Sequence, residues 1–391
     1  MTLDVEHVVI GCGGIGSAAC YWLARSGADV LGLEQHQLGH DRGGSQDHSR
    51  IIRLSYHADA YAVLAPAAYE AWETLEQESG LHLLYRTGGL DLVADDADGR
   101  ANLERFAAVM SAHDVAFDRL TGAEVSARWP QFALGAGELA LYQEQTGFVD
   151  ARRANAAHVA LARAHGATVL DRTPVGAIEL TSDGARVRTA DETFTCRSVV
   201  LASGAWTNRL LSQLGRHVPI TVTKEQVTYF ATPHLAEFVP ERFPVWIWHG
   251  QDDFYGLPIH GEVATKAAVE ILRHAVDPET RDFEADADAR ALLTGFLAER
   301  IPRSLGPELY TKTCLYTMPP DRDFVLGVLP EAPQVALAVG AAHAFKFAGL
   351  LGRILSELAR DGRTRFPIDA FGIDRPTLQS ERAGAAIDFR L

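Results

Sequence analysis

Several side chains in this sequence belong to types that bind anions, move protons or form covalent bonds. SRIIRLSY (49–56) places Arg50 and Arg53 three residues apart. On a helical turn the two guanidinium groups would share one side, where planar forks can hold a carboxylate or lie against a ring system. The preceding DRGGSQDH reads as a glycine-rich loop folded over a ligand. In HAFKF (343–347), His343 and Lys346 open the last long apolar-periodic segment. A lysine at a helix N-terminus opposes the helix dipole, which points to an anionic ligand there. Lys266, in GEVATKAAVE, shares a strand face with Ala264 and Ala268, so partial burial of its ammonium is expected. A buried cation can stabilise charge that develops during a reaction. Cys314 lies in TKTCLYTMPPDRDF, a β-type run that breaks at Pro319 and Pro320. Free cysteine is most often a buried apolar residue, and composition alone assigns Cys314 to that role.

These groups need elements to position them. HVVIG (7–11) is a short apolar strand, GIGSAACYWLARSG (14–27) has helical apolar spacing and stops at Gly27, and DVLGLE (29–34) is a second strand. The resulting β-α-β unit carries GCGGIG, with Gly11, Gly13 and Gly16 in dinucleotide-binding spacing. The helix N-terminus offers free N–H groups to a pyrophosphate. Glu34, at the end of the second strand, can accept from ribose hydroxyls. RSVVLASGAWTNRLL (197–211) adds a strand against a Gly-Ala-Trp turn, and residues 334–362 read as strand, glycine-containing turn and long helix. A plain NAD domain has no need of that distant helix. FAD is longer and does, because the helix N-terminus near Phe345 and Gly349 can stabilise negative charge on the flavin.

Elsewhere, residues 60–80 form an amphipathic helix that Pro66 kinks or breaks. Residues 152–166 and 286–302 are further helices, 177–203 is a β-meander turning at Asp183 and Gly184, and the segments around 217–233 and 243–259 alternate as strands of a second sheet. Nucleotide-type units at the start, middle and end, with β segments between them, imply two interleaved domains. The expected class is mixed α/β. A Rossmann-like FAD-binding domain spans 1–85, 150–216 and 322–391, and a substrate domain on a mixed, largely antiparallel sheet spans 86–149 and 217–321.

The 391 residues are 47% hydrophobic and carry a formal net charge of −15. That acidity argues against nucleic acid or an anionic membrane as partner. No apolar window approaches the ~18 residues of a membrane span. The start MTLDVEHVVIG has no basic region followed by a long apolar stretch, so a cytoplasmic protein is expected. The four cysteines form no CxxC pair and no HExxH occurs, so no metal site is expected.

Taken in order, GCGGIG…LE, SRIIRLSY, GAWT, FYGLP, TKTCLYTMPPDRDF and GAAHAFKF resemble one group almost end to end. It is the monomeric sarcosine oxidase, N-methyltryptophan oxidase and pipecolate oxidase group of flavin amine oxidases. The resemblance implies FAD in the glutathione-reductase-type domain, bound covalently through a cysteine thioether that falls on Cys314. It places the cofactor against Gly11, Gly13, Gly14, Ile15, Gly16, Glu34, Gln35, Ser45, Arg50, Val175, Gly204, Trp206, Phe345 and Lys346. Arg53 and Lys346 match the pair that clamps the substrate carboxylate, and Arg50 the basic residue close to the flavin. Lys266 matches the lysine credited with oxygen activation, and Tyr255, Tyr316 and His343 match further active-site positions. The implied reaction oxidises a secondary amine or N-methyl amino acid to an imine that hydrolyses, with O2 reduced to H2O2, in a monomer.

Two departures bear on the substrate. Sarcosine-specific members carry a histidine four residues after the oxygen-activating lysine, where this chain has Glu270. Trp246 and Trp248 stand in the strand expected to line the pocket, which points to a substrate larger or more cyclic than sarcosine. A related FAD dehydrogenase would pass electrons to an acceptor other than oxygen and would not need Lys266. An NAD-dependent dehydrogenase accounts for the first 35 residues only. A non-catalytic flavin-binding protein would tolerate loss of Arg53, Lys346 and Lys266, all of which are present.

Overall fold

The computed structural model describes residues 4–272 and 274–379. Its nucleotide-type half is built on parallel strands in the order Thr168–Leu170, Val30–Leu33, Val5–Ile10, Thr193–Leu201 and Ala332–Val339. Their runs of Val, Leu and Ile are buried on both faces, as a helix-covered parallel sheet requires. Strand Thr193–Leu201 changes partner along its length. Its first half continues the antiparallel meander of Ala177–Thr181 and Gly184–Arg188, and its second half lies beside Ala332–Val339. The meander turns at Asp183 and Gly184, as the sequence predicts.

Helix Gly14–Arg25 packs between helices Ala151–Ala164 and Ala348–Asp361. Close approach to the last of these is possible because Gly352 has no side chain. A Cβ there would stand 2.4 Å from the Ala18 Cβ and 2.6 Å from the Ala19 nitrogen. Pro66 does break the 60–80 segment. Asp59–Ala62 is a single turn, and Ala65–Ser79 restarts with the proline in its first turn, where a missing N–H costs nothing. Gly80 closes that helix in the left-handed region.

The second half is an eight-stranded sheet. In order, its strands are Glu308–Met318, Thr221–Phe230, Thr265–Glu270, Asp253–Leu257, Val245–Trp248, Gly89–Ala94, Glu138–Gln143 and Asp118–Thr121. All neighbours are antiparallel except Val245–Trp248 beside Gly89–Ala94. Val325–Leu329 lies antiparallel to Ala332–Val339 at the edge of the first sheet, and a three-stranded sheet of Ser49–Ile52, Gly147–Asp150 and Leu84–Arg86 stands apart from both. Its Ser49–Ile52 strand corrects the helical expectation for Arg50 and Arg53. Ile51 and Ile52 are β-branched, and in the ladder they pair with Phe148 and Gly147.

Gly352→Ala is expected to overpack the crossing of the first and last long helices and cost about 1–3 kcal/mol. Gly295→Ala, on an open helix face with nothing within 4 Å of the new Cβ, should instead stabilise by about 0.5–1 kcal/mol. Urea unfolding of both variants checks the contrast, and equal effects would contradict this packing.

Candidate active site

A cavity of about 2310 Å³ runs from the first glycine loop, past the strand that carries Cys314, to Lys346. Single small-ligand pockets occupy roughly 300–1,000 Å³, so this space suits a dinucleotide together with a small substrate. Gly11, Gly13, Gly14, Ile15, Glu34, Gln35, Ser45, Val175, Gly204, Trp206 and Phe345 all line it. The glycine positions are sterically enforced. Gly11 has φ +88°, and a Cβ on Gly16 would stand 1.7 Å from the Gly11 carbonyl oxygen. Gly16 therefore supports the turn from behind. Ser45 Oγ accepts from the Gly14 amide at 2.9 Å, which ties the glycine-rich loop 41–48 to the start of the helix. Glu34 accepts from the Cys12 and His36 amides, each at 2.9 Å. Burial pushes its pKa up, but bonds from His40, His36 and Cys12 outweigh this and hold it lowered. A fixed carboxylate at the strand end with glycines at the helix start is a donor and acceptor set that fits the adenosine diphosphate part of FAD.

Arg50 and Arg53 both line the cavity, but each has its own carboxylate. Arg50 donates to Asp47 at 2.6 Å, and its guanidinium lies 5.9 Å from the Phe345 ring centroid. The same Asp47 oxygen takes Lys266 Nζ at 2.7 Å, and Lys266 also donates to the Ser49 carbonyl at 2.7 Å. Lys266 is 3% exposed and is not among the cavity-lining side chains. It stands one layer back from the wall that Arg50 forms. Burial lowers its pKa to about 8, with Asp47 opposing the fall and Arg50 adding to it.

Arg53 donates to Asp91 at 2.8 Å, and Asp91 also contacts His249 Nε2 at 2.8 Å. Burial pushes the Asp91 carboxyl up, but Arg53 and then His249 leave it lowered overall. Arg53 Nε is buried and has no hydrogen-bond partner. Across the cavity, Glu270 accepts from Arg322 at 3.0 Å. Burial, opposed by Arg322, leaves its carboxyl raised. Lys346 lines the same space and makes no ion pair among the described residues. Burial, and next Arg53, lower its pKa to about 7, against Glu270 and Asp91.

Lys346 sits in a 3-10 turn, Ala344–Phe347, and not on the first helical turn as expected, because the helix proper starts at Ala348. Ala341 and Ala342, at φ 42° and 67°, turn the chain sharply there. Non-glycine residues in that region are strained, and such strain gathers at functional sites. His343 stacks on Phe324 and faces the Arg322 carbonyl oxygen through Nε2 at 3.2 Å. Burial lowers its pKa well below the ordinary range, so it is neutral. Nε2 carries the proton it donates, and Nδ1 is left as the acceptor. Tyr255 and Tyr316 both face the cavity.

The tryptophan expectation needs correction. Trp246 and Trp248 lie on the sheet face that packs against Phe296, with ring centroids 5.8 and 5.5 Å from it. Trp246 is 2% exposed and does not line the cavity, while Trp248 reaches the cavity only at the end of its strand. Alternation puts Ile247 on the cavity side, opposite Tyr255. The aromatic argument for a bulky substrate therefore loses its main support.

Cys314 faces the cavity at 8% exposure. Burial pushes its thiol up to about 11. Arg50 is the main opposing influence, with Lys266 the weaker one. The loop 41–48 crosses the same strand, where the Leu315 amide donates to the Gly43 carbonyl at 3.4 Å. Sequence reading missed Asp47 and Asp91. Asp47 stands three residues before Arg50, and Asp91 is a lone charge in the otherwise apolar GGLDLV. Both were visible as signals.

The protein-family model described as FAD dependent oxidoreductase matches residues 6–358. Monomeric sarcosine oxidase of Streptomyces avermitilis is 35% identical over 379 residues, covering 95% of this chain and 97% of the relative. N-methyl-L-tryptophan oxidase of Yersinia pestis is 27% identical over 381 residues, covering 95% of this chain and all of the relative. The solved structure of NikD, an unusual amino acid oxidase essential for nikkomycin biosynthesis, superposes with a TM-score of 0.82. That match is at 28% identity and covers 95% of this chain and 98% of NikD.

Removing Asp91 would leave Arg53 charged and buried without a counter-ion, a change that typically costs 3–5 kcal/mol. Asp91→Ala is expected to lower the urea midpoint accordingly, and added acetate should restore part of the loss by occupying the vacated position. A midpoint that acetate does not move would contradict this pairing.

Proposed function

This chain belongs to the FAD dependent oxidoreductase family, and from that premise we propose that it is an amino acid oxidase acting on the C–N bond of a secondary or N-methyl amino acid. When bound, FAD supplies the two-electron acceptor, and molecular oxygen takes the electrons to give hydrogen peroxide. The substrate leaves as an imine, which water hydrolyses to an amine and a carbonyl compound.

The observation that carries this reading is the charge pattern of the cavity. Arg53 and Arg322 are paired with Asp91 and Glu270, while Lys346 has no ion-pair partner among the described residues. An unpaired buried cation calls for an anion. A substrate carboxylate at Lys346, beside the cavity-lining Arg53, supplies it. Glu270 is within electrostatic range of Lys346 and faces the same space. Together they match the opposite charges of a zwitterionic amino acid, with Glu270 toward the amine. Positioning is the main protein contribution, because the reacting C–N bond must be held in one orientation. His343, neutral and with Nδ1 free to accept, and Tyr255 and Tyr316 border the amine end. Lys266 and Arg50 place positive charge on the Cys314 side, where negative charge develops as oxygen is reduced.

A thioether between Cys314 and FAD is part of the proposal. Its support is that Cys314 faces the cavity, with Arg50 as the main influence opposing burial of its thiolate. The discontinuous division into 1–85, 150–216 and 322–391 against 86–149 and 217–321 is also proposed as the functional split. Its last residues, 380–391, lie outside the described residues.

Three outcomes check the reading. Aerobic peroxide release across N-methyl amino acids, proline, pipecolate and simple secondary amines should require the carboxylate. Affinity for a carboxylate inhibitor should fall as pH rises through about 7, where Lys346 loses its proton, and Lys346→Met should be weak and flat across that range. Acid precipitation should give a yellow pellet from wild type and a colourless one from Cys314→Ser.

A further inference from the structure

Asp47 is 5% exposed and receives four donors. Oδ2 takes Arg50 at 2.6 Å and Lys266 at 2.7 Å. Oδ1 takes the Tyr229 hydroxyl at 2.5 Å and the His48 amide at 2.8 Å. Two cations sharing one oxygen cannot be farther apart than the sum of those two bonds. At that separation, away from water, they repel strongly unless an anion lies between them. Arginine does not give up its proton in proteins, so any relief must come from lysine.

The groups around Lys266 leave Asp47 as its counter-charge. Its strand partners are Tyr229 on one side and Leu257 on the other. Arg50 and the Ser49 carbonyl come from the strand Ser49–Ile52. Cys314 faces it from Glu308–Met318 with a thiol that burial keeps protonated. Tyr255 faces Arg50 from Asp253–Leu257 and is likewise held protonated by burial. Tyr310 packs at a tilt against Tyr229 and donates to Glu262 nearer the surface, and His48 also meets Glu262 at 3.4 Å. Asp47 is the one carboxylate bonded to Lys266 among the described residues.

We propose that Asp47 is a positioning residue for oxygen reduction, holding Lys266 protonated and fixed beside Arg50. The proposal rests on the oxidase reading and on a role for Lys266 in it. Asp47 acts through Lys266 and touches neither substrate nor oxygen. Oxygen takes up two electrons and two protons to become peroxide. The Lys266 ammonium contributes charge to that step, and without Asp47 most of that charge is lost near pH 8.

The test compares wild type with Asp47→Asn, Asp47→Glu and Lys266→Met, each loaded with FAD. Substrate-reduced enzyme is mixed with oxygen and reoxidation is followed from roughly pH 6 to pH 9. Asp47→Asn should reoxidise about fivefold more slowly than wild type near pH 8, approaching about tenfold near pH 9, and recover on acidification, the mark of a lysine pKa moved down by about one unit. Lys266→Met should stay slow at every pH, and Asp47→Glu should keep the wild-type profile. An Asp47→Asn profile that superposes on wild type overturns the proposal, and so does a loss that acid does not rescue. A second readout needs no turnover. Sulfite binds oxidised flavin as an anion, and its affinity relative to the Lys266→Met variant reports the lysine charge. The midpoint of that ratio should move to lower pH in Asp47→Asn, and an unmoved midpoint overturns the proposal. Wild-type reduced enzyme that oxygen does not reoxidise would defeat the oxidase reading, and the sulfite titration would still judge Asp47.

Discussion

One carboxylate oxygen, Asp47 Oδ2, accepts from both Arg50 and Lys266, and the architecture of the site follows from that shared bond. Arg50 comes from the small sheet, Lys266 from the middle of the large sheet, and Asp47 from the glycine-rich loop that also caps the first helix through Ser45. A buried ion pair contributes little net stability, but breaking one is costly. The network therefore fixes geometry more than it adds stability, and it ties the glycine-rich loop to the eight-stranded sheet. The same rule holds at Arg53 with Asp91 and at Arg322 with Glu270. In each case the charge is matched by a residue from a different element.

Lys346 departs from that rule, and its position explains how it can. It stands on a short 3-10 turn that two left-handed alanines force into place. The strained turn delivers an ammonium to the cavity without a carboxylate beside it. Burial then lowers its pKa to about 7. An arriving carboxylate would restore the charged form, so binding and protonation are coupled at this residue. The neighbouring cations Arg53 and Arg322 are already paired, with Asp91 and Glu270.

Much of this was legible in the sequence. The glycine loop, Glu34, the meander turn at Gly184 and the late strand and helix are local patterns that periodicity and turn chemistry reveal. Lys266 among alanines correctly signalled burial. Other features are non-local. Arg50 and Arg53 read as a helical pair because their spacing is three, but Ile51 and Ile52 favour a strand and the ladder to Phe148 and Gly147 decides it. Trp246 and Trp248 read as pocket lining because alternation does not say which face is the core, and helix Ala287–Arg300 settles that through Phe296. Asp47 and Asp91 were passed over because their partners, Lys266 and Arg53, lie 219 and 38 positions along the chain from them. Only tertiary contact makes them part of the site.

Lys346, a half-buried cation of this wall with no ion pair among the described residues, is the proposed anchor of a substrate carboxylate. Anaerobic bleaching of the flavin absorbance tests it most directly, with an N-methyl amino acid compared against its own carboxamide. The acid should bleach the flavin and the amide should not at matched concentration. Equal bleaching by both would contradict it.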